Sequence, residues 1–150
     1  EQFGLRGDLQ SDAASVLPLT RAALKFEGLR FMRDPTRGGL ATVCHEISQA
    51  TGMGVRLQQT EIPIRDSVQS VCDMLGYDPL YLACEGRVVA VVAEAQAQDL
   101  LAHWRCLPEG AEAALLGHVE EQAARVLLVT ELGGERMLDE LEDDPLPRIC

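Results

Sequence analysis

Residues 33–40 read Arg-Asp-Pro-Thr-Arg-Gly-Gly-Leu (RDPTRGGL), and the fold turns on them. Just before them a short apolar run, Leu29-Arg30-Phe31-Met32, predicts a strand over 29–33. Just after, Leu40, Val43, Cys44 and Ile47 fall at i, i+3, i+4 and i+7, the spacing of one helical face. That helix is expected over 39–50, stopped by Thr51-Gly52-Met53-Gly54. Between strand and helix, Asp34 is a cap-type residue, and Pro35 removes a donor that a helix start leaves unpaired. Gly38 and Gly39 let a backbone or a ligand come close. Thr36, Arg37 and the free N–H groups of the helix start are candidates for holding an anion such as phosphate. The same residues would also serve a plain strand-to-helix turn.

Working outward, residues 1–12 are polar and read as a linker or arm, with Ser11-Asp12 as a cap for a helix whose stripe is Leu19, Ala22, Ala23 and Phe26. Gly28 ends it. Downstream, 54–58 alternates as a strand, and 60–65, with Pro63 inside, is a connector. A third helix opens at Arg65 or Asp66, carries Val68, Val71, Cys72 and Leu75 on one face, and is capped by Gly76. Asp78-Pro79 starts a short turn, with Asp78 as its cap. Residues 87–92 (Arg-Val-Val-Ala-Val-Val) give the strongest strand signal and read as buried on both faces. A helix over 95–104 turns Leu100, Leu101 and Trp104 inward. Strands follow at 113–119, 125–130 and, after a Gly133-Gly134 turn, 135–138. The pattern predicts an α+β fold, a mixed β-sheet with helices on its faces. Residues 1–138 form the domain. Residues 139–150 hold five acids within Asp139–Asp144 and then two prolines, which reads as a mobile acidic tail.

The chain has 150 residues, enough for one domain with a real core, and a net charge of −11. That charge argues against nucleic acid and anionic membrane as partners, because both require a basic footprint. No apolar run reaches the ~20 residues of a membrane span. The first residue is Glu1, which reads as an excised fragment of a longer protein. Five cysteines, an odd number without a Cys-x-x-Cys pair, fit neither a disulfide framework nor a zinc site and point to a reducing cytoplasm. His45, His103 and His118 have no ligand spacing, so no metal is expected on this chain.

Two side chains stand out for chemistry. Cys150 ends the chain on a proline-stiffened tail, and a thiol there can be carried into a distant pocket to hold an acyl-type group. The alternative is an inert thiol. Glu85 lies between Cys84 and Gly86, at the mouth of the 87–92 strand, where a carboxylate can act as a general base; an exposed turn acid is the competing reading. Cys44 and Cys72 sit on apolar stripes and read as small buried hydrophobes.

Three segments together carry a family resemblance. RDPTRGGL at 33–40, Asp-Pro-Leu-Tyr-Leu-Ala-Cys-Glu-Gly (DPLYLACEG) at 78–86 and the ending Pro147-Arg148-Ile149-Cys150 resemble the HypE-type hydrogenase maturation proteins. These belong to the superfamily of aminoimidazole ribonucleotide synthetase and selenophosphate synthetase. The resemblance covers 11–150 and concerns the C-terminal domain of that family. It implies an ATP-dependent carbamoyl dehydratase. A HypF-like carbamoyltransferase loads the terminal cysteine with a carbamoyl group. ATP phosphorylates the carbamoyl oxygen, and loss of phosphate leaves a thiocyanate. The cyano group then passes to iron on a HypC/HypD-like scaffold for a [NiFe]-hydrogenase. Transferred to this chain, Cys150 is the acceptor thiol and Glu85 the base, while Asp34, Thr36, Arg37, Gly38 and Gly39 position phosphate or support a domain interface. Where the resemblance implies Asn, before Glu85-Gly86, this chain has Cys84. ATP and Mg²⁺ are expected to bind mainly in an N-terminal domain outside these residues, leaving the fragment alone inactive, and the full-length form is expected to be a homodimer. A non-catalytic thiol carrier is the competing function. A selenophosphate-type synthetase would leave Cys150 without a task.

Overall fold

A computed structural model of the chain describes residues 11–141. Helix α1, Leu17–Ala23, starts with Pro18 in its first turn and buries Leu19, Ala22 and Ala23. Strand β1, Leu29–Arg33, leads through the glycine loop into α2, Gly39–Thr51. Strand β2, Gly54–Gln58, follows, then α3, Asp66–Leu75, ended by Gly76 in the left-handed conformation that lets a helix terminate. Strand β3 is Val89–Val92, α4 is Glu94–Arg105, and the chain closes with β4, Gly117–Glu120, β5, Val126–Val129, and β6, Glu135–Met137.

The strands form two sheets. One is mixed and four-stranded, in the order β4-β2-β5-β6, with β2 and β5 parallel and the other neighbours antiparallel. The second is the antiparallel pair β1 and β3. Helix α2 lies across the first sheet because its apolar stripe matches the inward faces of β2 and β5. Ala41, Val43, Cys44 and Ile47 meet Val55, Leu57, Val126 and Leu128, and Leu80 and Leu138 close the ends. Helix α1 is held to α4 by the Trp104 indole, whose Nε1–H donates to the Leu19 carbonyl at 3.0 Å. The α+β expectation holds.

Four local expectations do not. Ser11-Asp12 caps no helix: α1 begins at Leu17, and Asp12 is used elsewhere. Asp34 is not the cap of α2; the N-cap is Gly38 at φ 67°, a conformation that suits glycine and leaves no side chain to bond the helix start. The 87–92 strand is not buried on both faces. All four residues of β3 are half-buried, because its sheet has only two strands. The doubly covered strand is β5, where Val126, Leu127 and Leu128 are each no more than 4% exposed. It lies between β2 and β6 and under α2. Finally, of the three α4 residues expected inward, Leu100 is buried and Leu101 and Trp104 are half-buried.

The start of the acidic segment is tied to the domain. Leu138 is 1% exposed and its N–H donates to the Val126 carbonyl. Asp139 meets Tyr81, Glu140 meets Gln49 on α2, and Leu141 lies near Gly38, while Cys150 lies outside the described residues.

Candidate functional site

The loop at 34–39 and the segment at 80–86, some fifty residues apart in sequence, close on each other. The reason is glycine. At Gly39, φ is 61°, and a Cβ would lie 2.5 Å from the Leu80 carbonyl oxygen and 2.6 Å from that of Leu82. Only a residue without a side chain lets the first turn of α2 sit this close to the backbone of 80–82. The Cys84 N–H then donates to the Pro35 carbonyl at 2.9 Å, joining the loop to the residue before Glu85. Asp78 sets the bend that makes this approach possible. Its Oδ1 accepts from the Leu80 N–H at 3.0 Å, and its Oδ2 accepts from Arg136 Nη2 at 2.9 Å.

Glu85 is fixed from the other side. Its backbone N–H donates to Asp12 Oδ2 at 2.9 Å, and Gly86 presses against the Asp12 carbonyl and Ala14, with no room for a Cβ. The Glu85 side chain is exposed and makes no hydrogen bond among the described residues. Asp34 and Arg37 are exposed, Thr36 is half-buried, and Gly38 and Gly39 are buried. The structure thus joins the backbones carrying Asp34, Thr36, Arg37 and Glu85, and leaves their side chains unpaired among the described residues.

Sequence reasoning gave Asp12 a different task, as a helix cap, and gave Tyr81 and Leu141 none. The Asp12 carboxylate binds a backbone 73 residues away, and no local pattern marks such a partner. Tyr81 donates its hydroxyl proton to the Asp139 carbonyl at 2.8 Å. Burial, then the Asp78 carboxylate, hold that hydroxyl above its ordinary value, so it remains a donor. Leu141 reaches Gly38: its Cδ2 lies 3.2 Å from where a Cβ on Gly38 would stand.

The described cysteines include three held as neutral thiols. Burial pushes Cys44 up to about 12. Burial, then the neighbouring Asp73 and Asp78, raise Cys72. Burial, then Asp12, raise Cys84, against a smaller opposing pull from Arg87. None of these three is prepared as a nucleophile. Among the described residues no three His, Cys, Asp or Glu side chains come together as a metal site. His45 Nε2 instead lies 2.9 Å from the Leu138 carbonyl, to which it donates as the protonated ring nitrogen. The described residues thus bring together no cluster of carboxylates that would hold a Mg²⁺ ion by themselves. No helix among the described residues is long and apolar enough to cross a membrane.

Comparison with known proteins gives this geometry a setting. The carbamoyl dehydratase HypE of Rhodobacter capsulatus is 45% identical over 150 residues, covering 99% of this chain and 44% of the relative. A solved structure of the hydrogenase maturation protein HypE in complex with ATP matches with a TM-score of 0.88 at 38% identity, over 96% of this chain and 46% of that one. A chain of a solved HypE–HypF complex matches with a TM-score of 0.88 at 33% identity, over 93% of this chain and 46% of that one. The chain spans less than half the length of these relatives. The family model for the AIR synthase related protein, C-terminal domain, matches residues 6–129, which include both glycine-dependent contacts and Glu85. The chain belongs to the family of AIR synthase related proteins, as their C-terminal domain.

Proposed function

We propose that this chain is the C-terminal part of a HypE-like carbamoyl dehydratase, with residues 1–138 as the domain and 139–150 as the tail that brings Cys150 to the reaction. The observation carrying this reading is the seat of Leu141 beside Gly38, at the start of α2. Nine residues follow it. Fully extended they span at most about 30 Å, so the terminal thiol can reach anything built around the α2 start and Glu85.

In this reading a HypF-like carbamoyltransferase forms a thiocarbamate on the Cys150 sulfur. The carbamoyl oxygen attacks the γ-phosphate of ATP, releasing ADP and turning a poor leaving group into phosphate. Phosphorylation makes the nitrogen acidic, and its first proton passes to solvent, leaving an O-phosphorylated imidate; Glu85 then takes the second N–H proton, the electron pair left on nitrogen closes the third C–N bond, and phosphate departs, leaving a thiocyanate. Thr36 and Arg37, beside the unpaired N–H groups of the α2 start, meet the phosphate charge. Asp34 and the two glycines hold the loop against the segment carrying Glu85. The cyano group then passes to iron held by HypC/HypD-like partners, for [NiFe]-hydrogenase. The ATP complex and the HypF complex of the similar proteins support ATP and a carbamoyltransferase as the ligands of the whole protein. In this reading the rest of the full-length protein supplies most of the nucleotide and Mg²⁺ contacts and the homodimer interface, so these 150 residues alone do not dehydrate.

The exposure of Glu85 favours a second reading, in which the chain only carries a thiol-bound cargo. Glu85→Gln in the full-length protein separates the two. Loss of the base lowers dehydration of the carbamoylated protein by about 10²-fold or more and leaves carbamoylation itself intact. Unchanged dehydration would make Glu85 a bystander and favour the carrier.

A further inference from the structure

Three side chains of the domain reach the backbone or side chains of residues 138–140. His45, on α2, meets the Leu138 carbonyl at 2.9 Å. Tyr81 donates to the Asp139 carbonyl at 2.8 Å. Gln49, one helical turn beyond His45, donates through Nε2 to Glu140 Oε1 at 3.1 Å. They come from two elements and converge on three consecutive residues, and the next residue, Leu141, lies against Gly38. Leu138 needs no help to stay in place, since it is buried and bonded to β5. The contacts at 139 and 140 therefore add nothing to the core. What they fix is the direction in which the chain leaves it.

We propose that Gln49 and Tyr81, with His45 behind them, form a clip that aims the tail across the start of α2, making Tyr81 and Gln49 positioning residues for the reaction at Cys150. The proposal rests on the reading of Cys150 as the acceptor thiol. With the clip closed, the nine residues to Cys150 start from Leu141, on the side of the domain where the glycine loop and Glu85 lie. With it open, the tether begins after Leu138, three residues earlier, and its direction is no longer set. Lengthening a nine-residue tether to twelve dilutes its end by a factor of only about 1.5, so most of the effect comes from direction. Tyr81 does not act on the carbamoyl group: its hydroxyl is committed to a backbone carbonyl.

Effective molarity measures such aiming directly. In the full-length protein, with Cys84 and Cys106 replaced by serine, Thr36→Cys introduces a reporter thiol in the glycine loop. Equilibration with reduced and oxidised glutathione exchanges two protein thiols and one glutathione disulfide for a protein disulfide and two reduced glutathiones. Mass spectrometry then gives the fraction of the bond between position 36 and Cys150. Because the result is a ratio to the bimolecular reaction, a general change in thiol reactivity cancels. Two lost hydrogen bonds translate into a fall of roughly threefold or more in effective molarity for the combined Tyr81→Phe and Gln49→Ala variant, which keeps its cooperative unfolding. An unchanged effective molarity overturns the clip, as does the absence of the disulfide when the clip is intact. Failure of the acceptor reading looks different: Cys150 would stay free of carbamoyl whatever its effective molarity.

Discussion

Gly39 and Gly52 have nearly the same backbone conformation, φ 61° and 72°, and different neighbourhoods. A Cβ on Gly52 meets nothing within 4 Å, whereas on Gly39 it meets the carbonyls of Leu80 and Leu82. Gly52→Ala therefore costs only the left-handed strain, about 1–2 kcal/mol. Gly39→Ala adds overpacking worth about 1–3 kcal/mol more, or else forces α2 away from the segment carrying Glu85. Denaturant unfolding of both variants checks the difference; equal losses would mean that the α2 start does not need its close approach. Of the candidate site, the glycine loop and the segment carrying Glu85 are legible as short local motifs, and their meeting in the fold is what the structure adds. The role of Asp12 is not legible, since its carboxylate serves a backbone amide across the fold. Asp34 misleads, because an aspartate followed by proline resembles a helix cap, and the true N-cap, four residues further on, is Gly38.

Helix positions were readable from apolar spacing, and α2 was expected over 39–50 and spans Gly39–Thr51. Strand burial was not readable from the same evidence. A run of valines says that a strand is apolar; the number of layers covering it is decided by partners elsewhere in the chain. Thus β3, with one neighbour, stays half-buried, and β5, between two strands and beneath a helix, does not. The energetic consequence is measurable. Leu128→Ala should cost about 2–5 kcal/mol, since the side chain is 1% exposed in the core. Val91→Ala, in β3, should cost distinctly less. Comparable losses in urea unfolding would return β3 to the core.

At the scale of the whole molecule, the buried Cys44 thiol sets a pH dependence. Its ordinary value is 9.0, which the unfolded chain adopts, and burial pushes it up to about 12 in the fold. Between these values the folded state keeps a proton that the unfolded state has lost. The stability this contributes is fully present below pH 9 and is lost as pH rises towards 12, at on the order of 1.4 kcal/mol per pH unit. Cys72 and Cys84 shift in the same direction. Cys44→Ala should lower stability at neutral pH and flatten this alkaline slope; an unaltered slope in unfolding measured from pH 8 to 11 would remove Cys44 as its source. The overall class was legible, because alternating helices and strands with late hairpins leave few arrangements. The path of 138–141 was not, because its first two residues past the core look like a solvated acidic run and are held by side chains of Gln49 and Tyr81. That path directs attention to Cys150. The decisive measurement is mass spectrometry of the terminal peptide from the full-length protein after incubation with carbamoyl phosphate, ATP and a HypF-like carbamoyltransferase. The account predicts a carbamoyl adduct on Cys150 that, once ATP is present, loses the mass of one water to become a cyano adduct. A Cys150 that stays unmodified, or a carbamoyl adduct that ATP does not change, would contradict it.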